Sequence, residues 1–222
     1  IGAEALLRWE SPDLGIVSPS EFIPRAENMG LIIPVGEWVL NNVCIEVKKW
    51  EKITSRPIRF GVNFSAVQMA QENIASFVEA TLLKHEISPE LLDIELTEHS
   101  LSTDPMRAIE SITQLKKMGI TFSLDDFGTG YSTLSQLASY PVNTLKIDQS
   151  FISGLSEDSE SVAIVKAIVQ MANDLGLSIL AEGVETLGQV EFLLSLGCDY
   201  AQGHYFYSSM SGNEFRQLLT KN

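Results

Sequence analysis

The sequence predicts an α/β fold, a (β/α)8 barrel of the TIM type, and three observations carry that expectation. Short β-branched and aromatic runs alternate with longer stretches of helical period, glycines mark the joins from helix to strand, and the runs number about seven, more naturally one closed parallel sheet than an open doubly wound one. The runs are Ile1 to Arg8, Ile58 to Ser65, Leu92 to Glu98, Ile120 to Asp126, Asn143 to Asp148, Ser178 to Gly183 and Asp199 to Gln202. Between them, Ile74, Phe77, Val78 and Leu82 share one helical face, as do Val162, Val165, Ile168, Val169, Ala172 and Leu175. Asp104-Pro105 reads as an N-cap with proline at the first helical position, and the helix it opens runs to Gly119. Gly176 and Gly197 repeat that stop. The barrel wants eight strands and about 250 residues. With 222 residues and a start inside strand sequence, the chain is expected to be one domain, 1–222, lacking the first strand.

Composition narrows the partners. Fifteen Lys+Arg stand against 29 Asp+Glu, a formal net charge of −14, with 45% apolar residues. That balance argues against long nucleic acid and against direct contact with an anionic membrane, while a small anion remains acceptable if cations screen it. Cys44 and Cys198 have neither disulfide-framework nor zinc spacing, which suits a cytoplasmic location. His85, His99 and His204 form no triad or ligand pattern, and Met69, Met106, Met118 and Met171 read as core filler.

Side-chain alternation places the chemistry. Asn63 and Ser65 lie opposite Val62 and Phe64, Asp93, Glu95 and Thr97 opposite Ile94 and Leu96, Asp125 opposite Leu124, and Lys146 and Asp148 opposite Leu145 and Ile147. With Glu4 and Glu182, polar residues gather near the C-terminal ends of the strands, where barrels of this class keep active sites. Any one of these carboxylates could merely cap a helix or face water. Together, Glu4, Asn63, Glu95, Asp125, Asp126 and Glu182 are oxygen donors whose mutual repulsion calls for hard cations, Mg2+ or Mn2+, with Ca2+ a non-productive competitor. A turn at Asp125-Asp126 lets the pair serve two ions, an arrangement suited to in-line displacement at phosphorus. Lys146 could hold the attacking water, or it could simply pair with Asp148. Phe127 to Tyr131, with Gly128 and Gly130, reads as a mobile loop and not as a dinucleotide fingerprint.

The motifs Glu4-Ala5-Leu6-Leu7-Arg8-Trp9, Val62-Asn63-Phe64-Ser65, Glu95-Leu96-Thr97-Glu98, Asp125 to Gly130, Lys146-Ile147-Asp148, Glu182-Gly183-Val184-Glu185 and Gln202-Gly203 stand in order along the chain. In that order they resemble the EAL-domain phosphodiesterases that hydrolyse cyclic di-GMP. The resemblance implies a modified (β/α)8 TIM barrel whose first, antiparallel strand precedes Ile1, and a reaction that cuts one phosphodiester of cyclic di-GMP to give linear pGpG. It implies two Mg2+ or Mn2+ per site on Glu4, Asn63, Glu95, Asp125, Asp126 and Glu182, with Ca2+ inhibitory and Lys146 positioning the hydrolytic water. It further implies that Arg8 holds a phosphate, that Asp148 and Gln202 shape the nucleotide site, that Glu98 anchors the loop and that Glu185 acts behind the ligands. A homodimer, and a larger protein with sensory or GGDEF-type domains, are also implied. Ser11, Gln149 and the stretch Ser208-Ser209-Met210 depart from residues usual in the family, though none is a proposed ligand. A receptor that binds the nucleotide without cutting it is the alternative, and an unrelated barrel performing enolisation or aldol chemistry is a third.

Overall fold

The structure, a computed structural model, describes residues 2–128, 137–155 and 160–220. In chain order its elements begin with β1 (Gly2–Ala5), β2 (Trp9–Ser11), β3 (Gly15–Val17), α1 (Pro19–Asn28), α2 (Ile32–Trp50), β4 (Arg59–Asn63), α3 (Ala66–Met69) and α4 (Ile74–Lys84). They continue with β5 (Leu92–Thr97), α5 (Glu98–Thr103), α6 (Pro105–Lys116), β6 (Thr121–Phe127), β7 (Thr144–Ile147) and α7 (Gln149–Ser153). The last are α8 (Glu160–Asp174), β8 (Ser178–Ala181), α9 (Leu187–Ser195), β9 (Tyr200–Ala201) and α10 (Gly212–Leu219). The large sheet has seven strands in the order β1-β4-β5-β6-β7-β8-β9, with β1–β4, β4–β5, β6–β7, β7–β8 and β8–β9 paired in parallel. Parallel neighbours joined through helices make this an α/β fold.

By contact density the chain divides into two compact units, one of Ile1–Glu95, Thr103–Thr121 and Met210–Asn222, the other of Leu96–Ser102 and Phe122–Ser209. In the first, β4 and β5 bury Phe60, Val62, Leu92 and Ile94, and helices supply Leu40, Cys44 and Val47 from α2, Val78 and Leu82 from α4, and Ile112 and Leu115 from α6. Asp104 caps α6 by accepting the Arg107 N–H at 3.1 Å, and Gly119 ends the segment at φ +102°. Helix α10 is tied to α2 by the Arg216–Glu46 ion pair and by Phe215 set edge-on to Trp50, ring centres 4.8 Å apart. In the second unit, Phe122, Leu124, Leu145, Ile147, Ile179 and Ala181 from the strands pack with Val165, Ile168, Val169 and Ala172 from α8. Gly176 and Gly197, at φ +69° and +79°, close α8 and α9.

All seven strand runs expected from the sequence are strands; six are shorter than their runs, as the Ile1 to Arg8 run shows by ending at Ala5, while β6 is as long as its run and shifted one residue onward to Phe127. The small antiparallel sheet of β2 and β3 was not expected. Its turn is local chemistry: the Ser11 hydroxyl accepts the N–H groups of Asp13 and Leu14, both at 3.3 Å, and Gly15 takes φ +70°. Met106 corrects an expectation. It is 82% exposed, because α6 buries Ala108, Ser111, Ile112 and Leu115 at helical spacing and Met106 falls on the opposite face, while Met69 is core at 1% exposure. The region Phe127 to Tyr131 is described only as far as Gly128, so the loop expected there lies mostly outside the described residues.

Candidate active site

In the first unit the parallel register sets Glu4 beside Gly61 and Asn63 beside Glu95, so three polar side chains stand at the C-terminal ends of β1, β4 and β5. The Ser65 capping box, with Gln68 returning the bond, turns the chain into α3 immediately after β4 and so fixes where Asn63 ends. The Asn63 amide donates to Glu4 Oε1 at 2.8 Å, which leaves its carbonyl oxygen facing other partners. Glu4 and Glu95 each bring a carboxylate oxygen within 4.8 Å of the other. Glu95 is 5% exposed, and its carboxylate lies over Gly61, where an added Cβ would sit 1.9 Å from Oε1. Arg8, by contrast, is exposed and donates to the Leu7 carbonyl at 3.0 Å.

The second unit holds the denser cluster. Asp125 lies in β6, Lys146 in β7 and Glu182 just past β8. Lys146, 1% exposed, places Nζ 3.2 Å from Asp125 Oδ1 and 2.7 Å from Glu182 Oε1. It pairs across strands; Asp148 instead accepts the Ser150 N–H at 2.9 Å as the N-cap of α7. The turn expected at Asp125-Asp126 is a bulge within the strand, where the β6–β7 register shifts between Leu124 and Phe127 and Asp126 adopts φ +54°. This removes the alternation that would send neighbouring carboxylates to opposite faces. Asp125, Asp126 and Glu182 accordingly offer oxygens all within 4.8 Å of one another.

Behind these groups, Gln202 Nε2 donates to Glu182 Oε1 at 2.8 Å, and the Gln202 N–H and carbonyl bond to Ala181 and Val184. Gly203 makes that arrangement possible: at φ +151° a Cβ would sit 2.3 Å from both Val184 N and O. Glu98 Oε1 accepts the Gly128 N–H at 3.2 Å, holding the chain just after the Asp pair. Glu185 points to solvent, 3.8 Å from His204 Nδ1. The sequence puts Gly61 on the polar face of its strand with Asn63 and Ser65, and Gly203 in a motif with Gln202; the close approaches that require glycine at each are set by the tertiary structure. Among the described residues, carboxylates of Asp125, Asp126 and Glu182 gather about one lysine, so hard oxygen donors exceed the positive charge near them. That donor set fits Mg2+ or Mn2+ and suits neither a soft metal nor an imidazole-bound one.

Parallel strands in one sheet with helices between them, and acidic residues at the strands' C-terminal ends, define an α/β protein of the TIM-barrel-like class. The EAL domain family model matches residues 1–209, and the chain belongs to that family. MucR of Pseudomonas aeruginosa, a bifunctional diguanylate cyclase/cyclic di-GMP phosphodiesterase, is 45% identical over 203 residues, covering 91% of this chain and 30% of that protein. The Escherichia coli cyclic di-GMP phosphodiesterase PdeR is 40% identical over 216 residues, covering 96% of this chain and 32% of that one. The chain thus spans roughly 30% of the length of these curated relatives. The solved PaMucR phosphodiesterase in complex with c-di-GMP superposes with TM-score 0.89 at 42% identity, covering 96% of this chain and 86% of that one. The EAL domain of Mycobacterium smegmatis DcpA gives TM-score 0.79 at 36% identity over 84% of each chain.

Proposed function

We propose that this chain hydrolyses cyclic di-GMP to linear pGpG with two divalent cations, held by Glu4, Asn63, Glu95, Asp125, Asp126 and Glu182. The observation that carries the reading is Lys146, a buried ammonium braced by Asp125 and Glu182 beside the Asp126 carboxylate. Bound cations of this kind lower the pKa of water and neutralise charge developing on a phosphoryl group. The chain's own residues do the rest. Lys146 Nζ, braced by Asp125 and Glu182, is the cationic donor that orients the attacking water oxygen. Water adds to phosphorus, the bond from phosphorus to the ribose 3′ oxygen breaks, and that oxygen takes a proton to leave pGpG. Gln202 keeps Glu182 oriented, Arg8 engages a substrate phosphate, Asp148 shapes the nucleotide site, Glu98 anchors the chain at Gly128, and Glu185 acts behind the ligands.

This reading extends to a homodimer within a larger cytoplasmic signalling protein carrying sensory or GGDEF-type domains, and to Ca2+ as inhibitor. No helix among the described residues is long and apolar enough to cross a membrane. The test is incubation with cyclic di-GMP and Mn2+, with nucleotides separated by chromatography and binding measured by calorimetry in Ca2+. Conversion to pGpG that disappears in Glu4→Ala and Asp125→Asn is the expected result. Binding without conversion at saturating metal would make the chain a receptor instead, and unchanged turnover in both variants would overturn the ligand assignment.

A further inference from the structure

We propose that Gln189 is a positioning residue, one side chain that holds the Glu182 to Thr186 segment against α7 and thereby keeps Glu182 and Asp148 at a fixed spacing. The inference rests on the proposed roles of those two carboxylates and on the bonds of one half-buried amide. Gln189 Oε1 accepts the N–H groups of Glu185 at 2.8 Å and Thr186 at 3.0 Å, and Nε2 donates to the Ile152 carbonyl at 3.0 Å. Two N–H groups face the oxygen and a carbonyl faces the nitrogen, so one orientation of the amide satisfies all three. A capping box needs only the reciprocal bonds with Thr186; those to Glu185 and Ile152 go beyond it.

These bonds close a frame. At one end the Glu182 N–H bonds at 3.0 Å to the carbonyl of Ile147, the residue before Asp148. In the middle Gly183, at φ +66°, lies so close to α7 that a Cβ would sit 2.5 Å from Gln149 Cβ. At the other end Gln189 joins Glu185 and Thr186 to Ile152, a buried residue near the close of α7. The last carbonyls of so short a helix have no donor four residues on, and the Gln189 amide adds one. Asp148 starts the same helix, its carboxylate accepting the Ser150 N–H at 2.9 Å and its carbonyl the Phe151 N–H at 3.1 Å. Glu182 has further holds on Lys146 and Gln202. Parting Gln189 from Ile152 therefore loosens α7 and Asp148 while Glu182 stays in place.

Gln189→Glu separates the two tasks. A carboxylate keeps the oxygen that accepts from Glu185 and Thr186, at a helix N-terminus where negative charge is favourable, but sets a second acceptor against the Ile152 carbonyl. A role confined to capping α9 makes this variant neutral. The experiment is amide hydrogen exchange read by NMR in the metal-free protein, with the melting temperature alongside, for the parent, Gln189→Glu and Gln189→Ala. In Gln189→Glu the melting temperature and the Glu185 and Thr186 rates should match the parent, while Phe151 exchange speeds about tenfold, the size of one hydrogen bond. In Gln189→Ala all three amides should exchange faster. Parent-like Phe151 exchange in Gln189→Glu would overturn the proposal, as would unchanged Glu185 and Thr186 exchange in Gln189→Ala. Should Gln189→Ala not fold, Gln189→Glu alone decides, and a Gln189→Glu that does not fold also overturns the separation of cap from bridge. With cyclic di-GMP and Mn2+, Gln189→Glu should raise KM about tenfold and leave kcat near the parent value, because Asp148 shapes the nucleotide site and Glu182 is still held. Gln189→Ala should lower kcat as well. A parent that cuts no cyclic di-GMP sinks the proposed function, yet the exchange rates still judge the Gln189 bridge.

Discussion

Lys146 has almost no contact with water and two carboxylates as its partners, Asp125 at 3.2 Å and Glu182 at 2.7 Å. Replacing it with methionine preserves the aliphatic volume but leaves those carboxylates facing each other. Lys146→Met should therefore cost about 3–5 kcal/mol in urea unfolding with a chelator present, much of it recovered in saturating Mn2+; an equal loss in both conditions would show that the lysine acts only as packing. Turnover of cyclic di-GMP should fall by about a hundredfold or more, the scale of a positioned proton-transfer group. At Gly203 the constraint is steric. Any Cβ meets the Val184 backbone at 2.3 Å, so Gly203→Ala should displace Gln202 from Glu182 and lower both melting temperature and activity. The residues themselves were legible in the sequence, because polar positions alternating with apolar ones mark inward-facing strand ends. Their partners were not: the choice of Asp125 and Glu182 over Asp148 is made across neighbouring strands, and Asp148 is committed to capping α7.

Short elements carry the site, so their ends matter. Thr186 accepts the Gln189 N–H and Gln189 returns to the Thr186 N–H, a capping box that starts α9 directly after the Glu182 to Glu185 segment. The Gln189 amide also donates to the Ile152 carbonyl at 3.0 Å, tying α9 to the end of α7. Thr186→Ala should lower stability by about 1 kcal/mol in denaturant unfolding, and no change would mean that packing alone sets the start of α9. At this scale the sequence spoke through its punctuation. Proline after Asp104 and glycine at 119, 176 and 197 fix where helices stop and strands resume, and these locate β6, β8 and β9 to within a few residues. The β2–β3 hairpin was missed because strands of three residues carry no period to read, and Ser11 makes its turn by side-chain bonds that composition does not announce.

For the whole molecule, acid excess is the governing fact. Clustered carboxylates should make the metal-free protein less stable than the metal-bound one, since a cation bound only by the folded state adds about 2.7 kcal/mol at one hundred times its Kd. Thermal unfolding should shift upward with added Mn2+, and a flat response would contradict a preformed site. Alkaline pH probes the opposite charge state. Burial pushes the Cys44 and Cys198 thiols from an ordinary 9.0 up to about 11, against backbone hydrogen bonds that pull them lower. Their folded values exceed the unfolded one, so the folded state holds protons that the unfolded chain has already released. Stability is then full below pH 9 and falls as pH rises toward 11, by about 1.4 kcal/mol per pH unit for each thiol. Denaturant unfolding between pH 8 and 11 should show this decline, and Cys44→Ala should make it shallower; an unchanged slope would assign the decline to other groups.

The sequence by itself determined the α/β class, the seven parallel runs, and which polar residues sit at strand ends, because a period of two and helix-stop glycines are local properties of the chain. Only the tertiary structure decided that Lys146 bridges Asp125 and Glu182, that Asp126 turns through a bulge, and that Glu98 reaches Gly128. Those are choices among partners far apart in sequence. They depend on strand register and on which buried charges and donors can satisfy one another, and no local pattern encodes either.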